Sequence, residues 1–407
     1  MSGIVLSASV RQNLLSLQST ADLLATTQNR LSTGKKVNTA LDNPTNYFTA
    51  ASLDNRASDI NNLLDGIGNG VQVLQAANTG ITSLQKLVDT AKSIVNQVLQ
   101  SPVGYSTKAN VDVTGTGAGA GTTTAADINA GKLGGAVLTF KTATGTLAVT
   151  VGSTFATGAG TATVKTLDQL NSVLASNGVA VSASISATAD TLTFTSTNDA
   201  ASQVITASAT APTGEGVAIS AATATVGAVN AAVADPTSQA TRSNLVSQYN
   251  VIIQQISTTA QDSSFNGVNL LNGDNLKLTF NETGKSSLNI NGVTFNAGGL
   301  GLGKLTAGTD FLDSYSGNAV IAKLGTASNL LRSQASALGS NLSVVQIRQD
   351  FSKNLINVLQ TGSSNLTLAD TNEEAANSQA LSTRQSIAVS ALSLANQSQQ
   401  SVLQLLR

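Results

Sequence analysis

Apolar residues recur near both ends of this chain at the spacing of helices that pair along a seam. The first stripe advances by alternate steps of four and three residues, with one polar lapse, through Val10, Leu14, Leu17, Ala21, Leu24, Gln28 and Leu31. The second stripe repeats every seven residues through Leu53, Ile60, Ile67, Leu74, Ile81, Val88 and Val95. We predict a helix from Pro44 to about Leu99, roughly 80 Å long at ~1.5 Å per residue, in either a bundle core or a rod.

The C-terminal part of the chain repeats this helical periodicity. A helix is predicted over residues 237–261, followed by a turn-rich segment and a β-hairpin near 276–296. Further helices are predicted by the apolar positions Leu324, Leu331, Leu338 and Val345, and in the tail by Ile387, Ala391, Leu394, Val402 and Leu405. If the helices at the two ends of the chain pair, the middle projects from one rod.

The middle of the chain, residues 102–235, has a different pattern. Thr, Ala, Gly and Ser dominate it, and alternating polar and apolar positions predict strand pairs around one short helix that ends at Gly178. The glycine-rich run at residues 115–124 is interpreted as a loop or flexible linker. We therefore expect a separate β-rich insert between the helical ends.

The segment from Arg30 to Phe48 interrupts the two N-terminal stripes with helix-end signals. Gly34 suits the position after a helix C-terminus, and Arg30 lies in the last turn, where a cation favours the helix dipole. Asn43 can cap the next helix, with Pro44 at its first position. A linker of about eight residues, 35–42, would join the two helices.

Charge is scarce in the terminal segments. Residues 1–33 carry only Arg11, Asp22 and Arg30, and residues 375–407 carry only Arg384 and Arg407. Helix faces in solvent usually carry mixed charge, so these faces suit contact with other protein. Because their Ser, Thr and Asn residues are weak helix formers, a lone helix would be marginal. We hypothesise that both ends become ordered when subunits associate; the alternative is pairing only inside one chain.

The overall composition narrows the classes of function. The 407-residue chain has 21 basic and 22 acidic side chains, which argues against nucleic acid or an anionic membrane as the main partner. It has no Cys and no His, so the usual thiol, general-base and metal-ligand chemistries are missing, and we expect no enzyme and no cofactor. No signal peptide and no apolar run of about 18 residues is visible, so we expect no membrane span and, if the chain is exported, no cleaved signal.

Two weak motifs could carry chemistry. The run "GTGAGAG" lacks the Lys-Ser/Thr of a phosphate-binding loop, so nucleotide binding is not expected. Glu373 and Glu374, with Asp370 nearby, could bind a cation or transfer protons. A solvated helix start capped by Asp370 or Thr371 is the favoured interpretation. No catalytic or metal site is predicted.

Four short segments at the two ends of the chain form a specific set. "QNRLSTGKKVNTALDNP" is followed, far along the chain, by "SSFNGVNLL", "LADTNEEAANSQAL" and the terminus "SLANQSQQSVLQLLR". In this order they resemble bacterial flagellin, the subunit of the flagellar filament, over about residues 1–100 and 236–407. The chain departs from that family's pattern at Asn372, which replaces an acid, and at Leu342 and Ser343, where an Arg-bearing pair is expected.

The resemblance implies a mainly α fold with a β-rich insert. Its long N- and C-terminal helices would pair as a coiled-coil rod, with a β-hairpin near 276–296 and an outward α+β insert. The expected segments are an inner-core helix and linker at 1–43, a rod helix at 44–101, the variable insert at 102–235, the second part of the rod at 236–362, and a C-terminal inner-core helix at 363–407. "TLDQLNSVLASNGVAVSAS" within the insert resembles a small module of hook and flagellin proteins.

The resemblance also implies a function, a location and partners. Such a chain is exported unfolded through the flagellar type III apparatus and self-assembles into the extracellular filament for swimming motility. Its partners would be other copies, an export chaperone, the filament cap and hook-junction proteins. The expected self-assembly residues of the terminal helices are Val10, Leu14, Leu17, Leu24, Leu31, Ile387, Leu394, Val402 and Leu405. The linker residues expected to meet neighbouring subunits are Arg30, Gly34, Lys35, Lys36, Asp42, Asn43 and Pro44.

A surface for a vertebrate Toll-like receptor, known from some flagellins, would map onto residues 84–92. Gln85, Lys86 and Asp89 are its expected residues, of which Lys86 and Asp89 keep the family's charge types. Val88 stands where a second Arg is expected and Thr90 where a Leu is expected. We therefore expect weak receptor activation.

Two other classes of protein compete with a filament subunit. A hook–filament junction protein of the same family shares both termini. A type III-secreted coiled-coil effector or translocator could also have long helices and no signal peptide, but would not be expected to carry both terminal motif sets.

Overall fold

The computed structural model describes residues 8–143, 145–210 and 216–405. Its α-helices are α1 (Ala8–Thr33), α2 (Pro44–Gln100), α3 (Leu167–Ser176), α4 (Pro236–Asp262), α5 (Ser314–Thr367) and α6 (Thr371–Leu405). Its strands are β1 (Tyr105–Thr107), β2 (Asn110–Gly115), β3 (Val137–Thr142), β4 (Gly145–Val151), β5 (Ala156–Gly158), β6 (Thr161–Val164), β7 (Val181–Ile185), β8 (Thr191–Ser196), β9 (Val204–Thr206), β10 (Gly216–Ala222), β11 (Ala224–Asn230), β12 (Val233–Ala234), β13 (Leu276–Thr279) and β14 (Ser287–Ile290).

The chain divides into two compact units. The first comprises Met1–Gln72, Leu276–Ile290 and Asn341–Arg407, and the second comprises Val73–Asn275 and Asn291–Ser340. Long helices α2 and α5 contribute residues to both units. None of the helices in the described ranges is both long enough and apolar enough to cross a membrane.

In the first unit, α1 packs against α6, and the first half of α2 packs against the second half of α5. The latter contact is built on Ala57 and Ile60 of α2 with Ile356 and Leu359 of α5. The antiparallel hairpin β13–β14 also belongs to this unit and corresponds to the hairpin predicted near 276–296. An ion pair of 2.7 Å between Arg56 Nε and Glu282 Oε1 joins the loop of the hairpin to α2.

In the second unit, the heptad stripes predicted from sequence form the core. The stripe of α2 is buried at Leu74, Ile81, Val88 and Val95, and that of α5 at Leu324, Leu331 and Leu338. Helix α4 adds a buried face of Leu245, Val246, Tyr249, Ile253, Ile256 and Ala260. The prediction of long helices with seven-residue seams is confirmed for these elements.

The insert, also in the second unit, contains two β-sheets around one apolar core. One sheet has the strand order β5-β6-β4-β3-β10-β9 and the other β11-β2-β8-β7, while β1 pairs with β12 where the chain enters and leaves. Phe140 of β3 and Phe194 of β8 bring the two sheets together, with ring centroids 5.3 Å apart. Helix α3 buries Leu170, Val173 and Leu174 in the same core and is followed by Gly178, whose φ is 69°.

The glycine-rich run is a loop, as one of the two interpretations predicted, but it is packed, so the alternative of a flexible linker is wrong. After β2 ends at Gly115, Gly117 N–H donates to Lys132 O at 2.9 Å and Gly121 N–H donates to Ala130 O at 3.1 Å. A Cβ added at Gly119 would lie 2.3 Å from the carbonyl oxygen of Gly131. The glycines are needed because two backbone segments approach more closely than a side chain allows.

Candidate assembly interface

Helices α1 and α6 form an antiparallel pair with a narrow, mixed seam. The side of α1 that faces α6 consists of positions 10, 13, 17, 20, 24 and 27. Val10, Thr20 and Thr27 are the buried residues of this set. Helix α6 shields the positions 374, 378, 381, 385, 388, 392 and 395. Both sets advance in alternate steps of three and four residues, which is the spacing of a coiled-coil seam.

The register of this seam differs from the stripe predicted for α1. Val10, Leu17 and Leu24 lie on the seam, as predicted, but Asn13, Thr20 and Thr27 fill the alternate positions instead of Leu14, Ala21 and Gln28. Leu31, seven residues after Leu24, is exposed at the end of the helix. Thr20 fits because its hydroxyl donates to Ser16 O at 2.8 Å, which satisfies the polar atom and leaves the methyl group to pack.

Large apolar side chains are exposed on both terminal helices. On α1, Leu14, Leu15, Leu23 and Leu31 are exposed, with Leu14 at 45%. On α6, Ile387, Val389 and Leu394 are exposed, with Leu394 at 69%. Val402 and Leu405 lie outside the residues whose side chains the structure describes. The predicted self-assembly residues therefore fall into two groups, one that pairs α1 with α6 and one that this pairing leaves in solvent.

Glu374 ties the two helices together at one end of the seam. Its Oε1 lies 3.4 Å from Nη1 of Arg30, and the residue is only 8% exposed. The interpretation of Glu373 and Glu374 as a solvated helix start is therefore wrong for Glu374. Asp370 caps α6 as predicted, because its Oδ1 accepts from the amides of Asn372 at 2.9 Å and Glu373 at 3.3 Å.

The linker between α1 and α2, residues 34–43, is hydrogen-bonded to the short segment that separates α5 from α6. Lys36 N–H donates to Thr367 O at 2.7 Å, Ala369 N–H donates to Gly34 O at 3.0 Å, and Lys35 pairs antiparallel with Leu368. The segment between α1 and α2 and the segment between α5 and α6 thus form one small hydrogen-bonded cluster. Helix α5 continues to Thr367, five residues beyond the boundary expected at 362.

A tight turn stiffens the second half of this linker. Oδ2 of Asp42 accepts from the amides of Asn38 at 2.9 Å and Thr39 at 2.8 Å. These backbone hydrogen bonds lower the pKa of Asp42, so the carboxylate stays charged in the turn. Asn43 caps α2 as predicted, with its Oδ1 accepting from Asn46 N–H at 3.1 Å and Pro44 as the first helical residue.

The linker and the beginning of α2 present apolar and basic side chains to solvent. Leu41 is 95% exposed, and Phe48 in the first turn of α2 is also exposed. Lys35 and Lys36 are exposed on the first half of the linker. A side chain as exposed as that of Leu41 adds little to the stability of a single chain.

Gly34 is the conformational pivot of this linker. Its φ is 68°, which costs an L-residue about 1–2 kcal/mol, although a Cβ there would meet open space. We expect Gly34→Ala to lower the melting temperature followed by far-ultraviolet circular dichroism. Gly66→Ala is the matched control, because Gly66 lies inside α2 and a Cβ there would also meet open space. This change should raise the free energy of unfolding by about 0.5–1 kcal/mol. Equal effects of the two changes on the melting temperature would contradict the requirement for glycine at position 34.

The predicted receptor residues lie together on α2 in the second unit. Lys86 and Asp89 are exposed and Gln85 is half-buried. The surface is a regular helix face, and within the described ranges no group of three potential metal ligands forms.

Arg242 is a structurally decisive residue that the sequence analysis did not single out. It is 1% exposed on α4, and its guanidinium donates to the carbonyls of Pro102 at 2.7 Å, Phe311 at 2.6 Å, Ser101 at 2.9 Å and Val98 at 3.1 Å. Burial lowers the pKa of Arg242, and Asp313 opposes that shift. The cluster joins the end of α2, α4 and the start of α5 at the base of the insert.

The backbone around Arg242 is held in an unusual conformation. Phe311 has a φ of 61° although it is not glycine, and its buried ring packs edge-on against Tyr249 with centroids 5.9 Å apart. Burial raises the pKa of Tyr249 to about 12. Asp313 caps α5 through Ser316 N–H and accepts a hydrogen bond from Ser202 of the insert. Conformations of this kind persist only where surrounding contacts hold them.

Comparison with known proteins matches both ends of the chain. Residues 5–112 match the family model for the bacterial flagellin N-terminal helical region, and residues 321–406 match the model for the C-terminal helical region. Flagellin FljM of Caulobacter vibrioides is 34% identical over 165 residues, which are 40% of this chain and 59% of the relative. Flagellin FljK of the same organism is 33% identical over the same shares. Flagellin A of Rhizobium meliloti is 39% identical over 90 residues, which are 22% of this chain and 23% of the relative. The chain thus spans 59% of the length of the Caulobacter relatives.

Proposed function

This chain belongs to the bacterial flagellins, and we propose that it is the structural subunit of a helical flagellar filament used for swimming. The single observation that carries the proposal is the pair of exposed apolar faces on α1 and α6. Each helix has one face turned to its intrachain partner and a second face that the described chain leaves uncovered. Several large apolar side chains left exposed along a pair of helices are typical of surfaces covered by another protein chain.

In the proposed filament, the exposed faces of α1 and α6 are covered by neighbouring copies. An open helical polymer needs two different, complementary surfaces that do not close on themselves. The linker at 34–43 supplies a further contact through Leu41, Lys35 and Lys36. The segments 1–43, 44–101, 102–235, 236–362 and 363–407 act as inner core, rod helix, outer insert, second rod part and C-terminal inner core.

The further proposals concern export and partners. The chain travels unfolded through the flagellar type III apparatus, aided by an export chaperone, and adds beneath the filament cap above the hook-junction proteins. The scarcity of charge and the weak helix formers in α1 and α6 support this, because such helices are stable only once paired. The flagellin family is structural and its place is the extracellular filament; no catalytic step is part of the proposal.

A labelling experiment separates this function from its alternatives. Gold-conjugated antibody against residues 102–235 should decorate isolated flagella along their whole length. Label confined to the base of each filament would instead support a hook–filament junction protein. Label absent from flagella, with the protein free in the medium, would support a secreted effector or translocator.

Weak recognition by a vertebrate Toll-like receptor is a separate proposal. It rests on Lys86 and Asp89 being exposed on α2 while Val88, at an expected Arg position, is buried in the core. We expect purified monomer to activate a receptor-reporter cell line far less than a strong flagellin agonist at equal concentration. A response equal to that of the strong agonist would contradict this.

A further inference from the structure

The strand β7 is the outer edge of the four-stranded sheet in the insert. It pairs with β8 on one side only, since the strand order ends there. Ser186 N–H donates to Thr191 O at 3.0 Å and Thr197 N–H donates to Ala180 O at 2.9 Å, so the even-numbered residues direct their backbone groups to β8. In an antiparallel pair, every second residue of the edge strand directs its N–H and C=O away from the partner strand. In β7 these residues are Val181, Ala183 and Ile185.

The outward backbone groups at the centre of this edge are occupied by one side chain. Asn171 of α3 accepts from Ala183 N–H through its Oδ1 at 2.7 Å and donates through its Nδ2 to Ala183 O at 3.0 Å. An amide side chain offers the same donor and acceptor as a peptide group. Asn171 therefore makes the pair of hydrogen bonds that a residue of an added strand would make.

We propose that Asn171 blocks β7 against strand addition by a second copy of this chain. An edge strand with free backbone groups is a template for pairing with another chain, and natural proteins block such edges. The occupant that fits an opened β7 is the β7 of another copy, because Ser182 and Ser184 give it a polar outer face without charge to repel its like. This role is independent of the filament function and concerns the insert alone.

The other sheet edges of the insert are protected by different means. Strands β5 and β9 each have three residues, and β11 has an irregular register between Val226 and Val229, near Gly227. Short strands and bulges both interrupt the regular row of donors and acceptors that strand addition needs. The five-residue β7 is regularly paired along its length, which is why it needs Asn171.

The test is the solution mass of full-length Asn171→Ala in a buffer that keeps the unchanged protein monomeric. Light scattering after size exclusion should show at least a doubled mass. Amide hydrogen exchange at Ala183, slow in the unchanged protein despite its edge position, should become fast in dilute Asn171→Ala. The insert should stay folded through the apolar core between its two sheets, while α3, which packs beside β7, no longer bonds to that strand and moves aside far enough for another strand to pair with it.

Two further variants separate strand addition from general loosening. Asn177→Ala removes the asparagine that follows the last residue of α3, whose side-chain Nδ2 donates to Val173 O and lies 3.4 Å from Ser176 Oγ, and this variant should stay monomeric. Asn171→Ala/Ser184→Lys adds a charge to the solvent face of the opened edge and should return to the monomer mass. A monomeric Asn171→Ala overturns the proposal, as does association that Ser184→Lys does not reverse, or rapid exchange of Ala183 in the unchanged protein.

Discussion

Arg242→Met lowers the free energy of unfolding by about 3 kcal/mol or more, because the change leaves buried carbonyl oxygens without donors. Each such acceptor costs about 1–3 kcal/mol, and Arg242 serves four of them. The carbonyl of Ser101 lies just past the end of α2, and that of Val98 lies in its last turn, where it also accepts from Ser101 N–H at 3.2 Å. The carbonyl of Phe311 belongs to a residue already held at an unfavourable φ.

Arg242→Lys should recover only part of this loss. A lysine ammonium is a compact group with three donors, whereas the planar guanidinium reaches carbonyls on both sides of the helix end. Thermal unfolding followed by circular dichroism at 222 nm measures both changes. Arg332→Met is the matched control, because Arg332 is exposed on α5 in the same unit, and its loss should cost no more than about 0.5 kcal/mol. A melting temperature of Arg242→Met equal to that of Arg332→Met would contradict the role assigned to Arg242.

The double variant Ile387→Gln/Leu394→Gln raises the critical concentration for filament growth by about 10- to 10³-fold. The two side chains are seven residues apart on the face of α6 that α1 does not cover, and both are more than half exposed in the single chain. Covering them in an assembly is worth about 1–2 kcal/mol each, discounted from full burial for the area already shielded. Every 1.4 kcal/mol changes an association constant tenfold.

The same variant should leave the monomer unchanged, which distinguishes assembly from folding. Glutamine is a good helix former, so the helix content and melting temperature of the monomer should match those of the unchanged chain. Phe155→Gln/Val204→Gln is the control, since it removes comparable exposed apolar area from the insert. The critical concentration is read from the protein left in the supernatant after pelleting seeded filaments. A value like that of the control would refute the assignment of this α6 face to assembly.

The helical architecture follows from the sequence where one face must be buried along its whole length. The stripe from Ile60 to Val95 repeats every seven residues, and each of its members is buried. Gly34 and Asn43 are equally predictable, because a left-handed residue after a helix and a side-chain cap before the next are local requirements. The hairpin near 276–296 and the helix that ends before Gly178 follow from the same local signals.

The sequence is less informative where distant parts of the chain select between local alternatives. In α1, the heptad pattern alone cannot show that Thr20 faces α6 and Leu14 faces solvent, since that depends on the partner helix. Burial of Glu374 depends on Arg30, which is 344 residues away. The packing of Gly119 against Gly131 depends on the register of the surrounding sheet. These features are set by tertiary contacts that composition and period do not encode.

Arg242 did leave a signal in the sequence. It occupies the first position of the periodic face that continues through Val246, Tyr249, Ile253 and Ile256. A charged residue in register with such a face is expected to be buried and to need several hydrogen-bond partners. Asn171 left no comparable signal, because the strand it blocks is identified only when the order of strands in the sheet is known.

The most direct test of the central claim is electron microscopy of the purified full-length chain under polymerising conditions, with short filament fragments added as seeds. If the exposed faces of α1 and α6 are covered by other copies, long helical filaments should grow from the seeds, and the helix content of the protein should rise above that of the monomer. A chain that stays strictly monomeric with seeds present would contradict the account.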